Sequence, residues 1–196
     1  MKERMQASGK MHVIMKVRAF SKEDGTRPFY ELKAEVMKDS TNYYSQMGDT
    51  DMLMNATFLV MVDHRARQIV WNKSTPVALR ELKDPMTTNI DSLLMVFGKA
   101  SYDSNDKELD HYRIVHANGS IRQTDMYFNK ASNLLTRIEY TYQSSQRVYI
   151  EFERFDLQPA FNAEIFSERK YLNVINGKWK AAPNYSNYQI INNTMR

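Results

Sequence analysis

Four histidines, His12, His64, His111 and His116, are the side chains with which this sequence could hold a metal or move a proton near neutral pH. Their spacing argues against a shared metal. None forms the i, i+4 pair of a helical site, and His111 and His116, an odd number apart, point to opposite faces of a strand. They are expected to be solvent-facing strand residues. Glu151 and Glu153 alternate onto one strand face, and Glu139 can join them from a neighbour, which is the material of acid–base or glycoside chemistry. Arg137, Arg147 and Arg154 lie beside them, so cross-strand ion pairing accounts for the same residues. Asp103-Ser104-Asn105-Asp106 offers oxygens to calcium but lacks the glycine and closing glutamate of an EF-hand loop, and reads as a turn.

Gly48, Gly98, Gly119 and Gly177 stand singly, so no glycine-rich loop cradles a phosphate, and no G-x-S-x-G elbow presents a serine. There is no cysteine, which excludes thiol catalysis, disulfides, Cys-ligated zinc and iron–sulfur clusters. The expectation is a non-enzymatic protein with no catalytic residue, no metal and no cofactor. Twenty-seven Lys and Arg against twenty-three Asp and Glu give a net charge of +4 without a block of like charges or a basic stripe with interleaved aromatics, so no nucleic acid partner is expected. No run reaches the roughly eighteen apolar residues of a membrane helix. The segment Met1–Gln6 has no apolar stretch and does not read as a signal peptide.

The elements that carry these residues are strands. From Met11 to Ala19 the odd positions Met11, Val13, Met15, Val17 and Ala19 are apolar, while His12, Lys16 and Arg18 alternate with them, the period of a half-buried strand. Further strands are expected from Tyr30 to Val36, from Tyr43 to Met47, over Met52 to Asp63 as one strand apolar on both faces, and over Gln68–Asn72. Leu109–His116, Arg122–Asn129, Leu134–Tyr142 and Arg147–Asp156 continue the series. A helix is expected over the first eight residues and another over Asn89–Phe97, ended by Gly98; Ser101–Asp106 reads as an exposed loop. The fold class is thus mainly β (α+β): a single curved antiparallel sheet forming an incomplete barrel of about 9–11 strands, with a few helices covering its concave face. No repeat or linker divides residues 1–196, which read as one domain with a core over 10–166 and a C-terminal extension over 167–196 carrying Tyr171, Trp179, Tyr185 and Tyr188. Thirteen methionines fall largely in apolar positions, either as core filler or as a surface adaptable to varied apolar guests.

The order of turns and strands resembles the LolA/LolB-type periplasmic lipoprotein carriers. The stretches that carry the resemblance are Tyr44-Ser45-Gln46-Met47-Gly48-Asp49 leading into Phe58–Trp71, and Thr124–Asn129 through Leu134–Ile138 to Val148–Phe152. The Lys-Pro or Arg-Pro that precedes an aromatic-rich strand in many carriers is not evident here, and the tail beyond Ser167 is longer. The resemblance implies a half-barrel whose apolar side takes up an acyl chain, as a carrier or chaperone. The partner would be a lipid or lipidated protein, with an envelope protein as a second partner, in the periplasm or at the outer membrane after removal of a leader. Alternation parity then nominates Met54, Phe58, Val60, Trp71, Ile138, Tyr140, Ile150 and Phe152 as lining, with Ile90, Leu93, Leu94 and Phe97 of the 89–97 segment as a lid. The alternative is a scaffold or interaction protein of the same fold, its core filled and its aromatic tail docked on a partner.

Overall fold

The computed structural model describes residues 9–74, 100–103 and 106–193. The strands are β1 (Lys10–Phe20), β2 (Tyr30–Asp39), β3 (Asn42–Met47), β4 (Thr50–Met54), β5 (Phe58–Asp63), β6 (Gln68–Lys73) and β7 (Ala100–Asp103). They continue with β8 (Leu109–Val115), β9 (Ile121–Asn129), β10 (Leu135–Tyr142), β11 (Arg147–Asp156), β12 (Leu172–Ile175), β13 (Lys178–Ala181) and β14 (Gln189–Asn192). Twelve form one open sheet in the order β14-β6-β5-β4-β3-β2-β1-β11-β10-β9-β8-β7, and β12 with β13 forms a separate hairpin. The pairs β3 to β6 and β7 to β11 are antiparallel hairpin neighbours, and β14 joins β6 in parallel.

A large, mainly antiparallel sheet was legible from the alternation, but two local readings need correction. Met52 to Asp63 is a hairpin, because the Asn55 side chain accepts from the Thr57 and Phe58 amides at 2.9 and 2.8 Å and turns the chain between β4 and β5. Ser101–Asp103 is part of strand β7, since pairing with β8 sets Tyr102 opposite Tyr112 and the Tyr102 hydroxyl donates to Asp110 at 2.7 Å. Helix occurs among the described residues only as three short 3-10 turns, Ala163–Phe166, Glu168–Lys170 and Pro183–Tyr185. The helices expected over 1–8 and 89–97 lie outside the described residues.

By packing the chain divides into two compact units. The first takes Val13–Ala34 and the described part of Pro85–Phe155; the second takes the described parts of Met5–His12, Glu35–Asp84 and Asp156–Arg196. In the second unit the segment after Asp156 covers one face of β3–β6. Tyr171 and Leu172 are fully buried there with Leu53, Val60, Val62 and Ile69, and Phe161, Ile165, Trp179, Tyr185 and Ile190 pack against them. Trp179 stands edge-on to Phe58 at 5.2 Å and tilted against Trp71 at 5.3 Å, so rings from the tail interlock with rings from the sheet.

Candidate functional site

Residues directly opposed across an antiparallel pair share a face, and in the first unit this sorts the sheet cleanly. Tyr112 faces Met126, Met126 faces Ile138, and Ile138 faces Ile150, an apolar row that crosses four strands. A second row sets Ile114 against Thr124, Thr124 against Tyr140, and Tyr140 against Val148. A register shift between Leu135 and Arg137 keeps Leu135 opposite Phe128, on this same apolar side, while Thr136 turns its hydroxyl onto the Tyr127 carbonyl at 3.0 Å. Met126, Ile138, Tyr140, Ile150 and Phe152 are half-buried, and Tyr102 at the edge is 55% exposed. Burial pushes the Tyr140 phenol up, the behaviour of a hydroxyl on a largely dry surface.

The opposite face of the same strands is polar and tied together. Tyr127 is flanked across the sheet by His111, stacked at 4.5 Å, and by Arg137, whose guanidinium lies 4.0 Å from the ring centre. The buried Asp125 meets His111 Nε2 at 2.6 Å and accepts from Arg113 Nε at 2.8 Å and Gln123 Nε2 at 2.6 Å. Burial pushes its carboxyl up, but the bonds from Gln123, Arg113 and His111 prevail and hold it below the usual range. Glu139 pairs with Arg137, Glu151 with Arg18 and Glu153 with Lys33, so each candidate acid is held by a cation. Burial pushes the Glu139 carboxyl up, with Arg137 opposing.

A carboxyl depressed in the native state binds its proton less readily than in the unfolded chain. Its stabilisation is therefore present above the ordinary carboxylate range and is lost as pH falls through the depressed value. Asp125→Asn is expected to cost about 2 kcal/mol at neutral pH, because an amide cannot accept from all three donors. It should also flatten the acid limb of stability, measured by urea unfolding at a series of pH values.

The histidines are partnered, not simply solvent-facing. His12 is buried against Glu35 at 2.7 Å, His64 reaches Asp51 at 3.2 Å, His111 meets Asp125, and His116 meets Thr124 at 2.8 Å. Cross-strand acids and the Thr124 hydroxyl supply what the spacing could not reveal. Among the described residues no group of three or more His, Cys, Asp or Glu is placed to hold a metal.

In the second unit the nominated lining residues divide between two faces. Phe58, Val60 and Trp71 face the C-terminal segment and belong to the packed core. Met54 lies on the other side, because the turn at Asn55 sets Met54 opposite Leu59 and Leu53 opposite Val60. Reading Met52 to Asp63 as one strand kept all even positions together; the hairpin reverses the parity. The face with Met54 carries Met52 opposite Met61, Met61 opposite Val70, and Val70 beside Ile191. Met61 is 42% exposed while Met54 on the same face is buried, so β5 is apolar on both faces and this one opens toward Met61. Ile90, Leu93, Leu94 and Phe97 lie outside the described residues.

Below the tail sits a buried polar group that the sequence reading missed. The Tyr171 hydroxyl donates to Asp51 Oδ2 at 2.6 Å, His64 Nε2 lies 3.2 Å from the same oxygen, and His64 Nδ1 is 3.0 Å from the Tyr188 hydroxyl. Lys170 Nζ donates to the Tyr44 hydroxyl at 3.2 Å and lies 4.3 Å from that ring centre. Burial, reinforced by the charge of Asp51, pushes the Tyr44 phenol up to about 12, and the Tyr171 phenol further still.

No family model matches the chain, and no curated protein does. Among solved structures it is similar to an uncharacterized conserved protein from Thermus thermophilus, at 9% identity and a TM-score of 0.50 over 97% of this chain and 95% of that one. It is also similar to a LolA superfamily protein from Nitrosomonas europaea, at 10% identity and a TM-score of 0.36 over 85% and 94%. A third is MucB of Pseudomonas aeruginosa, solved with MucA, at 8% identity and a TM-score of 0.48 over 84% of this chain and 58% of that one. The Thermus likeness extends the fold over nearly the whole length of both chains.

Proposed function

We propose that this is a non-enzymatic cell-envelope protein that takes a lipid, or the acyl chains of a lipoprotein, on the apolar face of β8–β11. The observation that carries the reading is the row Tyr112, Met126, Ile138 and Ile150, apolar across four strands and half-buried in its inner three members. Flanked by Tyr140 and Phe152, it offers an extended greasy surface backed by a rigid, ion-paired polar face. Each methylene an acyl chain buries on such a surface contributes about 0.8 kcal/mol, so a modest length of chain suffices for micromolar binding. The resemblance in strand order to the LolA/LolB-type carriers supports the choice of an acyl guest and of a periplasmic or outer-membrane setting, with a lipidated protein or envelope protein as partner.

Binding of a fluorescent long-chain fatty acid tests this. Ile150→Asp is expected to weaken it at least tenfold, since a charge on the face cannot be desolvated, whereas Glu151→Gln on the opposite face should leave it unchanged. If Ile150→Asp is unfolded, Ile150→Trp, whose bulk covers the neighbouring apolar row, should still block uptake. No binding by the wild-type protein, and no thermal shift with saturating ligand, would defeat the proposal.

A second reading, an interaction protein with a filled core, is favoured by the second unit alone. There Phe166, Tyr171 and Trp179 already occupy the face on which Phe58, Val60 and Trp71 lie. A wild-type protein that binds no lipid would leave that reading standing.

A further inference from the structure

The excess positive charge of this chain is concentrated. Arg169, Lys170, Lys178 and Lys180 fall within residues 169–182, which contain no Asp or Glu, so the remainder of the chain carries twenty-three residues of each sign. That segment forms the β12–β13 hairpin, whose turn residues Asn176 and Gly177 both adopt positive φ, 53° and 72°, the conformation of a two-residue turn matched to strand twist. The hairpin is rooted by Leu172, fully buried, and by Trp179 and Ala181, which pack against the core of the second unit. Beyond the root its apolar residues leave the core: Val174 is 57% exposed and Ile175 45%. The pairing of Ile175 with Lys178 and of Asn173 with Lys180 puts both lysines on the outward face with Ile175.

Two exposed β-branched aliphatics at a tight tip, Ile175 on the face of the two lysines and Val174 on the face of Trp179, are costly to hold in water and match the boundary of an anionic bilayer entered tip first. There apolar side chains enter the acyl region and ammonium groups meet phosphates. We infer that the β12–β13 hairpin docks this protein on an anionic lipid surface, with Val174 and Ile175 entering the interface and Arg169, Lys178 and Lys180 meeting the headgroups. Lys170, tied to Tyr44, adds its charge at the root. Aliphatic tip residues give no platform for stacking bases, which sets the surface apart from a single-stranded nucleic acid site. The docking is independent of the acyl face on β8–β11, which belongs to the other unit.

Sedimentation with sucrose-loaded vesicles of equal parts phosphatidylglycerol and phosphatidylcholine tests the inference. The full chain should bind these vesicles, bind pure phosphatidylcholine far less, and release in high salt. Lys178→Ala with Lys180→Ala should weaken binding roughly twenty-five-fold, taking each cation as about fivefold. Val174→Ser with Ile175→Ser should weaken it about tenfold while leaving thermal stability unchanged, because both side chains are exposed. These variants should keep fatty-acid uptake in a vesicle-free assay, which separates failure of docking from failure of the acyl reading. Equal binding by wild type and variants, equal binding to both vesicle types, or no binding at all would overturn the inference. So would vesicle-free dimers that Ile175→Ser dissolves, since the tip would then serve a second copy of the chain.

Discussion

Ending the chain after Ser167 is expected to unfold the second unit outright. The deleted residues include Tyr171 and Leu172, both fully buried, and Trp179, which contacts Phe58 and Trp71. Removing one buried aromatic or leucine side chain from a packed core costs about 2–5 kcal/mol, and the whole stability of a domain is only about 5–15. Three such losses therefore exceed what the remaining sheet holds. The deletion also strips β14 from β6 and exposes Ile69 and Trp71, leaving a hydrophobic strand edge open to aggregation. Urea unfolding of the truncated chain should lack the second unit's cooperative transition, while residues 100–156, with their own hairpin pairing and the Asp125 network, keep strand signal by circular dichroism. A truncated protein with the full transition would mean that the aromatic tail is an appendage, free to serve a partner.

How far the fold could be read from the residues follows from which forces are local. Alternation in β1, β10 and β11 is a local signal, and there the strands came out where the pattern put them. The turn at Asn55 is written in side-chain capping that competes with a continuous apolar run, and Met52 to Asp63 gives hydrophobicity no reason to stop. One missed turn then split the nominated set, leaving Met54 on the face opposite Phe58 and Val60, whereas Ile138 and Ile150 lie directly opposed on one face. The tail was harder for a different reason. Leu172–Ile175 and Lys178–Ala181 are too short for a periodic signal, and Tyr171 is buried because of rings and an acid far away in sequence. The Asp51, His64 and Tyr171 cluster depends wholly on that long-range packing, so no spacing of residues could announce it.

That cluster should also set the alkaline limit of stability. A phenol whose native pKa is raised holds its proton more tightly than in the unfolded chain, so its contribution is fully present below the ordinary tyrosine value and is lost as pH rises toward the native one. For Tyr44 the window runs from about 10 to about 12, and each pH unit within it should remove roughly 1.4 kcal/mol. Tyr171, raised further, adds its own loss from about 10 and continues it beyond that window. Tyr44→Phe should flatten the first part of this limb at small cost near neutrality. Tyr171→Phe should flatten the limb throughout, from about 10 upward, but at neutral pH it should also destabilise by about 1.5–3 kcal/mol, because it takes a 2.6 Å donor from the buried Asp51 carboxylate. Asp51→Ala leaves the Tyr171 hydroxyl buried without its acceptor and should cost at least as much, whereas Asp51→Asn, which can still accept that bond, should cost less. The two effects share one bond, so the double variant Tyr171→Phe with Asp51→Ala should cost clearly less than the sum of its parts, measured by urea unfolding in a double-mutant cycle. Additive costs would mean that Asp51 and Tyr171 stabilise the tail through separate contacts, and that the acid serves His64 instead.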